Sequence, residues 1–334
     1  MNVIIKYCPS TLAEGFETYS EAAAGRLFDG AEVSPYLDFT LSANKISTSV
    51  SAVMDRISVS GVQEKFPAVV RDGKICLAGE NERSTHILKP SPWDPSLAYR
   101  NEIPANENLT MQIASQVYGI DIAANGLCFS KDGKAVYITK RFDVAVDGSK
   151  FMMEDFSSVV GRSEATGGKH FKYDGCYADI ANAISNVSVD VDGDLQRFFN
   201  ILVFNYIYAN GDAHLKNFSL INDTEGRSRL APAYDLINTS LHVKDSDFAL
   251  EGGLAPEFEK SDVYLKFGHP CRLDFERFGA YIGLSADKVC KVLDCFMDVP
   301  QLSKTLIVNS FLTQRMKRSY FRSVNERVSR FVRR

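Results

Sequence analysis

The sequence lacks the residue patterns that mark metal-stabilised, disulfide-stabilised and membrane-spanning proteins. Its seven cysteines include no C-x-x-C pair, and its five histidines form no H-E-x-x-H spacing. The chain begins with no charged-then-apolar leader, and no apolar run approaches the roughly 20 residues that span a bilayer. We therefore expect reduced thiols, a cytoplasmic location and no membrane association.

Internal repeats and Pro- or Ser-rich linkers are also absent from the sequence. A hydrophobic fraction of 45% with 11% aromatic residues is typical of a globular protein and excludes collagen-like and disordered classes. The 334 residues exceed the roughly 250–300 at which one hydrophobic core usually stops growing. We therefore expect two lobes with a cleft between them.

The charge is unevenly distributed along the chain. Residues 315–334 hold eight basic residues and one acid, whereas the other 314 residues carry 30 bases and 41 acids. A basic tail on an acidic body either binds an anionic partner or folds back onto the body. Apolar residues repeat every four positions from Leu312 to Val332, which favours docking of this segment with its basic residues facing outward.

Short apolar or alternating runs dominate the first part of the chain and predict strands at 66–70, 75–77, 86–88, 126–129 and 136–139. Asp72-Gly73 and Asp132-Gly133 predict tight turns between neighbouring strands. One helix interrupts this pattern, with Asn106 as its expected cap and Gly119 at its end.

The helical period dominates beyond residue 170. We expect two short strands at 218–221 and 230–231, and helices over 177–184, 195–208, 273–283, 285–296 and 300–332. The sequence therefore predicts an α+β protein, with a small strand-rich N-terminal lobe over 1–145 and a larger helical C-terminal lobe over 146–334.

The strongest local signal is N-G-D-A-H-L-K-N-F at 210–218, which follows an apolar helix and precedes a strand. Its residue types suit phosphoryl transfer, in which Asp212 accepts the proton of an acceptor hydroxyl and Asn217 ligates Mg²⁺. Asp235 supplies a second metal ligand after the next strand. A capped turn explains Asp212 and Asn217 equally well when they are taken alone.

Phosphoryl transfer also needs a phosphate-binding loop and a cation. S-V-S-G-V-Q-E-K at 58–65 precedes a strand, and its glycine permits close backbone approach, although a plain strand-entry turn fits this spacing better. Lys89 closes another strand, where lysine is usually a solvated edge residue. Glu107 lies near a helix start, where it either stabilises the helix dipole or fixes Lys89.

Together these segments resemble the HipA-like serine/threonine kinases, the toxins of bacterial toxin–antitoxin modules. The resemblance is carried by residues 50–240, through the segments already given and T-H-I-L-K-P (85–90), N-E-N (106–108), K-R-F-D (140–143), E-D-F (154–156) and A-Y-D (233–235). The short N-terminal region looks like the HipT branch, whose missing subdomain is a separate small protein. The resemblance implies a two-lobed protein-kinase-like fold.

The resemblance also implies a role for each matching position, with ATP and Mg²⁺ as cofactors. Asp212 is then the catalytic aspartate, and Asn217 and Asp235 bind Mg²⁺. Lys89 contacts the phosphates with Glu107 as its partner. The remaining nucleotide-binding positions are the loop residues Ser60, Gly61, Val62, Gln63, Glu64 and Lys65, the hinge residues Lys140, Arg141 and Phe142, and His214, Lys216 and Tyr234.

Members of this family phosphorylate themselves on a loop serine, which corresponds to Ser58, with Ser60 as a second acceptor. Their targets are aminoacyl-tRNA synthetases, so we expect a protein substrate of that class. The resemblance further implies antitoxin partners, including a DNA-binding antitoxin and a small protein like the missing subdomain. The acidic body argues against direct binding of DNA, which we expect only through the antitoxin.

Two other functions remain open from the sequence. A small-molecule kinase of the aminoglycoside- or lipid-kinase type shares the lobes and the Asp-x4-Asn spacing. The pair of loop serines favours a protein kinase, because it offers a substrate within the chain. An inactive scaffold that binds an antitoxin is the third candidate, and retention of Asp212, Asn217, Asp235 and Lys89 argues against it.

Overall fold

The N-terminal part of the molecule is built around a five-stranded antiparallel sheet. The computed structural model describes residues 3–41, 63–145 and 147–333, so Ser58, Ser60, Gly61 and Val62 lie outside the described residues. The strands lie in the spatial order β2-β1-β3-β5-β4. They confirm the five predicted runs: β1 Phe66–Arg71, β2 Lys74–Leu77, β3 His86–Lys89, β4 Asn125–Phe129 and β5 Ala135–Lys140.

Two helices pack with this sheet, α1 Glu21–Phe28 and α2 Ile103–Tyr118. Helix α1 was not predicted. Helix α2 ends at Gly119, whose φ of 62° is left-handed, as the sequence predicts. The prediction of Asn106 as the cap is wrong, because α2 starts three residues earlier and the Asn106 amide donates to the Asn238 carbonyl oxygen at 2.9 Å.

The C-terminal part combines helices with a three-stranded antiparallel sheet. Strands β7 Ser219–Asn222 and β8 Ser228–Leu230 match the two predicted strands closely, whereas β6 Met153–Asp155 was not predicted. The helices are α3 Phe156–Val159, α4 Glu164–Gly167, α5 Tyr177–Val187, α6 Val191–Ile207, α7 Asp262–Phe267, α8 Arg272–Tyr281, α9 Ala286–Asp294, α10 Gln301–Asn309 and α11 Gln314–Phe331. The fold is therefore α+β with two lobes, as expected.

Two hydrophobic clusters hold these elements together. The larger one surrounds α6 and includes residues of both parts of the chain, such as Leu109 and Tyr137 together with Phe204. The smaller one packs α1 against the sheet through residues such as Leu27 and Phe66. Because the larger cluster is shared, the two lobes cannot separate without exposing apolar surface. The division at residues 145 and 146 stays a prediction.

The C-terminal segment docks on the body through its apolar stripe. It forms two helices, α10 and α11, rather than the predicted single helix over 300–332, because Ser310 and Thr313 adopt extended conformations between them. The stripe is buried from Leu312 to Val328, as expected, and Val332 is half-buried. Arg327, however, is only 7% exposed and pairs with Asp247. The basic residues therefore do not all face outward.

No helix among the described residues is both long and apolar enough to cross a membrane.

The docking of α11 can be tested by truncating one residue of its buried stripe. Met316 is 1% exposed, so Met316→Ala should lower the free energy of unfolding by about 3 kcal/mol, since it leaves a cavity. Arg318→Ala, at an exposed position of the same helix, should change it by less than about 0.5 kcal/mol. Urea denaturation measures both. Equal small losses would show that α11 is not part of the folded core.

Candidate functional site

A short irregular loop, residues 210–217, connects α6 to β7 and carries the predicted catalytic residue Asp212 and the predicted metal ligand Asn217. The chain leaves α6 at Ala209, which has a left-handed φ of 54°. The loop is then fixed by hydrogen bonds from Gly211 N to Thr239 Oγ1 at 2.8 Å and from Asn217 N to the His214 carbonyl oxygen at 2.9 Å. These bonds hold the loop in one conformation, so its polar side chains have defined directions.

Asp235 lies next to this loop and faces Asn217. The Asn217 amide nitrogen donates to Asp235 Oδ2 at 3.3 Å. Asn217 Oδ1 is buried and has no hydrogen-bond partner among the residues that the structure describes. A carboxylate beside an unpartnered amide oxygen is a donor set that suits Mg²⁺, which prefers oxygen ligands. Asn217 and Asp235 therefore fit the metal that the sequence predicts at this position.

Lys89 links the two lobes at this point. Its ammonium group lies 2.6 Å from Glu107 Oε1 and also contacts Asp235. Burial by itself lowers the pKa of Lys89, but the carboxylates of Asp235 and Glu107 outweigh burial and raise it. Burial raises the pKa of Glu107, whereas Lys89 and Lys65 hold the pKa of Asp235 below its usual value despite burial. The Lys89 ammonium therefore stays charged at physiological pH.

Asp212 belongs to the loop 210–217, called here the catalytic loop, and accepts a hydrogen bond from the Tyr173 hydroxyl group at 2.8 Å. Burial raises the pKa of Asp212, which suits a group that must accept a proton. His214 Nε2 lies 4.0 Å from Asp212 Oδ2. Burial, reinforced by Lys172, lowers the pKa of His214 to about 3, so this imidazole is neutral at physiological pH.

These side chains surround one cavity of about 480 Å³ between the two lobes. Of the predicted site residues, it is lined by Gln63, Lys65, Lys89, Glu107, Lys140, Arg141, Phe142, Asp212, His214, Lys216, Asn217, Tyr234 and Asp235. Glu64 does not line it, because its carboxylate accepts a hydrogen bond from the Trp93 backbone at 3.3 Å. Such a volume is within the usual range for small-molecule sites.

Two of the three predicted hinge residues, Lys140 and Arg141, already have partners within the protein. The Lys140 ammonium pairs with Asp29, and the Arg141 guanidinium pairs with Asp143. The backbone N–H groups of both hinge residues donate to protein carbonyl oxygens, at 2.8 Å each. A ligand in the cavity therefore meets the remaining carbonyl groups of the hinge and the ring of Phe142, rather than these cations.

Tyr234 forms another part of the wall. Its hydroxyl group donates to the Lys216 carbonyl oxygen at 2.9 Å and contacts Ser219. Its ring lies 5.8 Å from that of Phe142, between ring centroids. Since the hydroxyl group is occupied by the protein, Tyr234 offers an aromatic surface to a ligand.

Several residues that contribute to the site were not predicted, among them Asn210, Lys172 and Tyr173. Asn210 Oδ1 accepts a hydrogen bond from the Asp212 backbone at 3.3 Å, and its position inside the 210–218 motif was the available signal. Tyr173 and Lys172 belong to a segment without hydrophobic periodicity, so no pattern in the sequence connects them with Asp212.

The Lys89 ion pairs can be tested through stability. Lys89→Met leaves the buried carboxylate of Glu107 and the half-buried carboxylate of Asp235 without their shared cation, so the free energy of unfolding should fall by about 3 kcal/mol at pH 8. The loss should be smaller at pH 5. A carboxyl whose pKa is raised in the folded state binds protons more tightly there than in the unfolded chain, so acid favours the folded variant.

The matched control is Lys65→Met. Lys65 lies 3.7 Å from Asp235 with its side chain 29% exposed, so this change should cost less than about 1 kcal/mol. Adding Glu107→Gln to Lys89→Met should restore part of the lost stability. Urea denaturation at the two pH values measures all of these, and a small, pH-independent effect of Lys89→Met would contradict the assignment.

The comparisons with known proteins identify the family of the chain. The family model of the HipA-like C-terminal domain matches residues 57–300. The protein named Putative kinase Y4mE, from Sinorhizobium fredii, is 31% identical over 193 residues, which cover 55% of this chain and 43% of that protein. A protein from Haemophilus influenzae named Putative kinase is 25% identical over 293 residues, which cover 84% of this chain and 82% of that one.

A third relative, the serine/threonine-protein kinase toxin HipA of Shewanella oneidensis, is 25% identical over 225 residues, 63% of this chain and 49% of the relative. The chain thus spans less than half the length of Y4mE and about half that of this toxin. Its fold is also similar to HipA in a solved Shewanella oneidensis MR-1 complex of HipA, HipB and operator DNA. The TM-score is 0.62 at 18% identity, and the match covers 88% of this chain and 74% of that one.

The solved complex supports the kinase-like fold, and the family match extends through most of the chain, from before β1 to the end of α9. The chain therefore belongs to the HipA-like C-terminal domain family, and the relatives described above are named as kinases.

Proposed function

We propose that this chain is an ATP- and Mg²⁺-dependent protein serine/threonine kinase that acts as the toxin of a toxin–antitoxin module. One observation carries the proposal: Asp212, Asn217 and Asp235 from one lobe and the Lys89–Glu107 pair from the other line the same cavity of about 480 Å³. A positive charge, two metal-ligand oxygens and a proton acceptor around one space are what phosphoryl transfer requires.

In this proposal each side chain has a physical task. The Lys89 ammonium, held by Glu107, presents a fixed positive charge to the phosphates, and Asn217 and Asp235 hold the metal through their oxygens. The Asp212 carboxylate accepts the proton of the acceptor hydroxyl group. Magnesium, when bound, supplies positive charge that neutralises the phosphate oxygens.

The substrate class rests on relatives and on the loop serines. The Shewanella oneidensis relative is named a serine/threonine-protein kinase toxin. By resemblance to its family, the chain phosphorylates an aminoacyl-tRNA synthetase and so halts translation. Ser58 and Ser60 precede Gln63 and Lys65, which line the cavity, so the chain carries acceptor hydroxyl groups a few residues from its own site.

The partners proposed for the chain are antitoxins. The solved complex with a similar fold contains HipA, HipB and operator DNA. This chain would bind a DNA-binding antitoxin, reach DNA only through it, and associate with a small separate protein if it belongs to the short HipT branch. A protein substrate and antitoxins together imply a cytoplasmic site of action.

Phosphoryl transfer can be tested with labelled ATP, purified protein and MgCl₂. Asp212→Ala should reduce transfer of label to the chain at least about 100-fold, since it removes the proton acceptor. Asp223→Ala, which removes a surface carboxylate bonded to Arg227, should keep full activity. Removal of Mg²⁺ with a chelator should abolish transfer, and Asn217→Ala should raise the Mg²⁺ concentration needed. Label transfer that survives in Asp212→Ala would contradict the proposal.

Self-modification has its own test. Mass spectrometry of the incubated wild type should find phosphate on Ser58 or Ser60. A phosphoserine adds about −1.5 to −2 charges where the triphosphate binds, so Ser58→Asp with Ser60→Asp should lower ATP turnover relative to the Ser58→Ala, Ser60→Ala variant. Equal turnover of the two variants would exclude electrostatic inhibition.

The target can be identified by incubating cell extract with active protein, with Asp212→Ala as the control. Mass spectrometry should find a new phosphoserine or phosphothreonine on an aminoacyl-tRNA synthetase in the active sample alone. A new phosphate confined to a small metabolite would instead favour a small-molecule kinase.

A further inference from the structure

The segment Gly168–Tyr173, called here the strap, lies beside the catalytic loop, and its residue Lys172 lines the cavity. It is a 3₁₀-helical segment between α4 and α5. The Glu251 backbone N–H donates to the Tyr173 carbonyl oxygen at 3.0 Å and fixes the end of the strap. The ring of Tyr173 meets that of His214 edge-on, with 5.2 Å between centroids. The strap is therefore held against the catalytic loop.

The Tyr173 hydroxyl group binds one oxygen of Asp212, Oδ1, at 2.8 Å. This bond restrains Oδ1 of the carboxylate and leaves Oδ2 for another partner. Burial and the nearby Asp212 carboxylate raise the pKa of Tyr173, so its hydroxyl group keeps its proton and acts as a donor. Tyr173 therefore holds Asp212 in one orientation without competing for the proton that Asp212 would accept.

Within the part of the chain that the structure describes, Lys172, like Lys216, lines the cavity without the carboxylate partner that Lys65 and Lys89 have. Lys65 and Lys89 both pair with Asp235, whereas no carboxylate among the described residues lies within 4.0 Å of the Lys172 ammonium. The group instead lies 4.9 Å from the ring centroid of Tyr173. A partly desolvated cation without an anionic partner gains most from a ligand that brings negative charge.

We propose, resting on the kinase function proposed above, that the strap completes the machinery for phosphoryl transfer. Tyr173 is a positioning residue that orients Asp212, and the Lys172 ammonium binds the phosphoryl group during transfer. The acceptor oxygen forms a bond to the γ-phosphorus while the bond from that phosphorus to the β–γ bridging oxygen breaks. The hydroxyl proton passes to Asp212 Oδ2, and the electron pair leaves with ADP. Lys172 balances negative charge on the non-bridging oxygens.

Several charged or titratable groups face Asp212 and set its titration. They come from the strap, from the catalytic loop itself and from the segments after β8, and they are Tyr173, Lys172, His214, Asp235 and Asp245. Of these, the Tyr173 hydrogen bond lowers the pKa of Asp212 and Asp245 raises it. Loss of the tyrosine hydroxyl group alone should therefore shift the protonation of Asp212 to higher pH.

The positioning role is tested with Tyr173→Phe, which removes one oxygen and keeps the ring. We expect kcat for label transfer to fall about tenfold with KM for ATP unchanged. In a plot of kcat against pH, the rise of activity on the acid side should move to higher pH, because the unprotonated Asp212 loses a hydrogen-bond donor. A purely structural role would change stability without moving this rise.

The role of Lys172 is tested with Lys172→Met and Lys172→Arg, with Lys169→Met as the matched control at an exposed position of the same strap. Lys172→Met should lower kcat about 100-fold, and Lys172→Arg should recover part of the loss. A second readout uses no turnover: binding of MgADP with aluminium fluoride, which mimics the phosphoryl group in transfer, should weaken in Lys172→Met, whereas binding of MgADP alone should not.

The outcomes separate the two proposals. If wild type transfers phosphate and Asp212→Ala does not, the kinase function stands. Unchanged kcat and an unmoved rise on the acid side in Tyr173→Phe then overturn the positioning role, and unchanged kcat and analogue binding in Lys172→Met overturn the role of Lys172. A wild type that transfers no phosphate overturns the kinase function and the inference together.

Discussion

The buried ammonium group of Lys89 is the interaction on which the site depends. It contacts Glu107, 18 residues away in the sequence, and Asp235, 146 residues away. Removing such charges from water costs several kcal/mol for each ion, and only their mutual contacts offset that cost. The sheet, helix α2 and the segment after β8 therefore cannot move apart without leaving a charge buried alone. The cavity between the lobes has its shape because these three groups stay together.

The strands could be predicted because their signals are local. Alternation of apolar residues and the Asp72-Gly73 turn depend on near neighbours, and β1 and β2 form where those signals lie. Asn106 shows the limit of this reasoning. Its residue type favours a helix cap, but the folded chain supplies partners more than 130 residues away, at Asn238 and His242, and the residue lies inside the helix. The gap between α10 and α11 contains neither glycine nor proline, the usual signals for a helix end.

The candidate site also contains residues that could be predicted from the sequence and residues that could not. Asp212, Asn217 and Asp235 could be found because binding and catalytic residues are concentrated in loops that buried elements hold in place. Their roles, like those of Lys89 and Glu107, remain predictions supported by geometry. Tyr173 and Lys172 could not be found, because only the folded chain brings their irregular segment to Asp212. Glu64 has a residue type and a sequence position that suit nucleotide binding, but its carboxylate accepts a hydrogen bond from the Trp93 backbone instead. The spacing of residues in the sequence does not predict this contact.

The packing of α11 has a consequence for the order of events during synthesis. The hydroxyl group of Tyr320 bonds to Thr110, one turn from Glu107 in helix α2, at 2.9 Å. A chain is synthesised from its N-terminus, so α2 leaves the ribosome about 210 residues before the partner of Thr110 in α11 does. A nascent chain therefore lacks this support for α2 until α11 has emerged, which delays completion of the site.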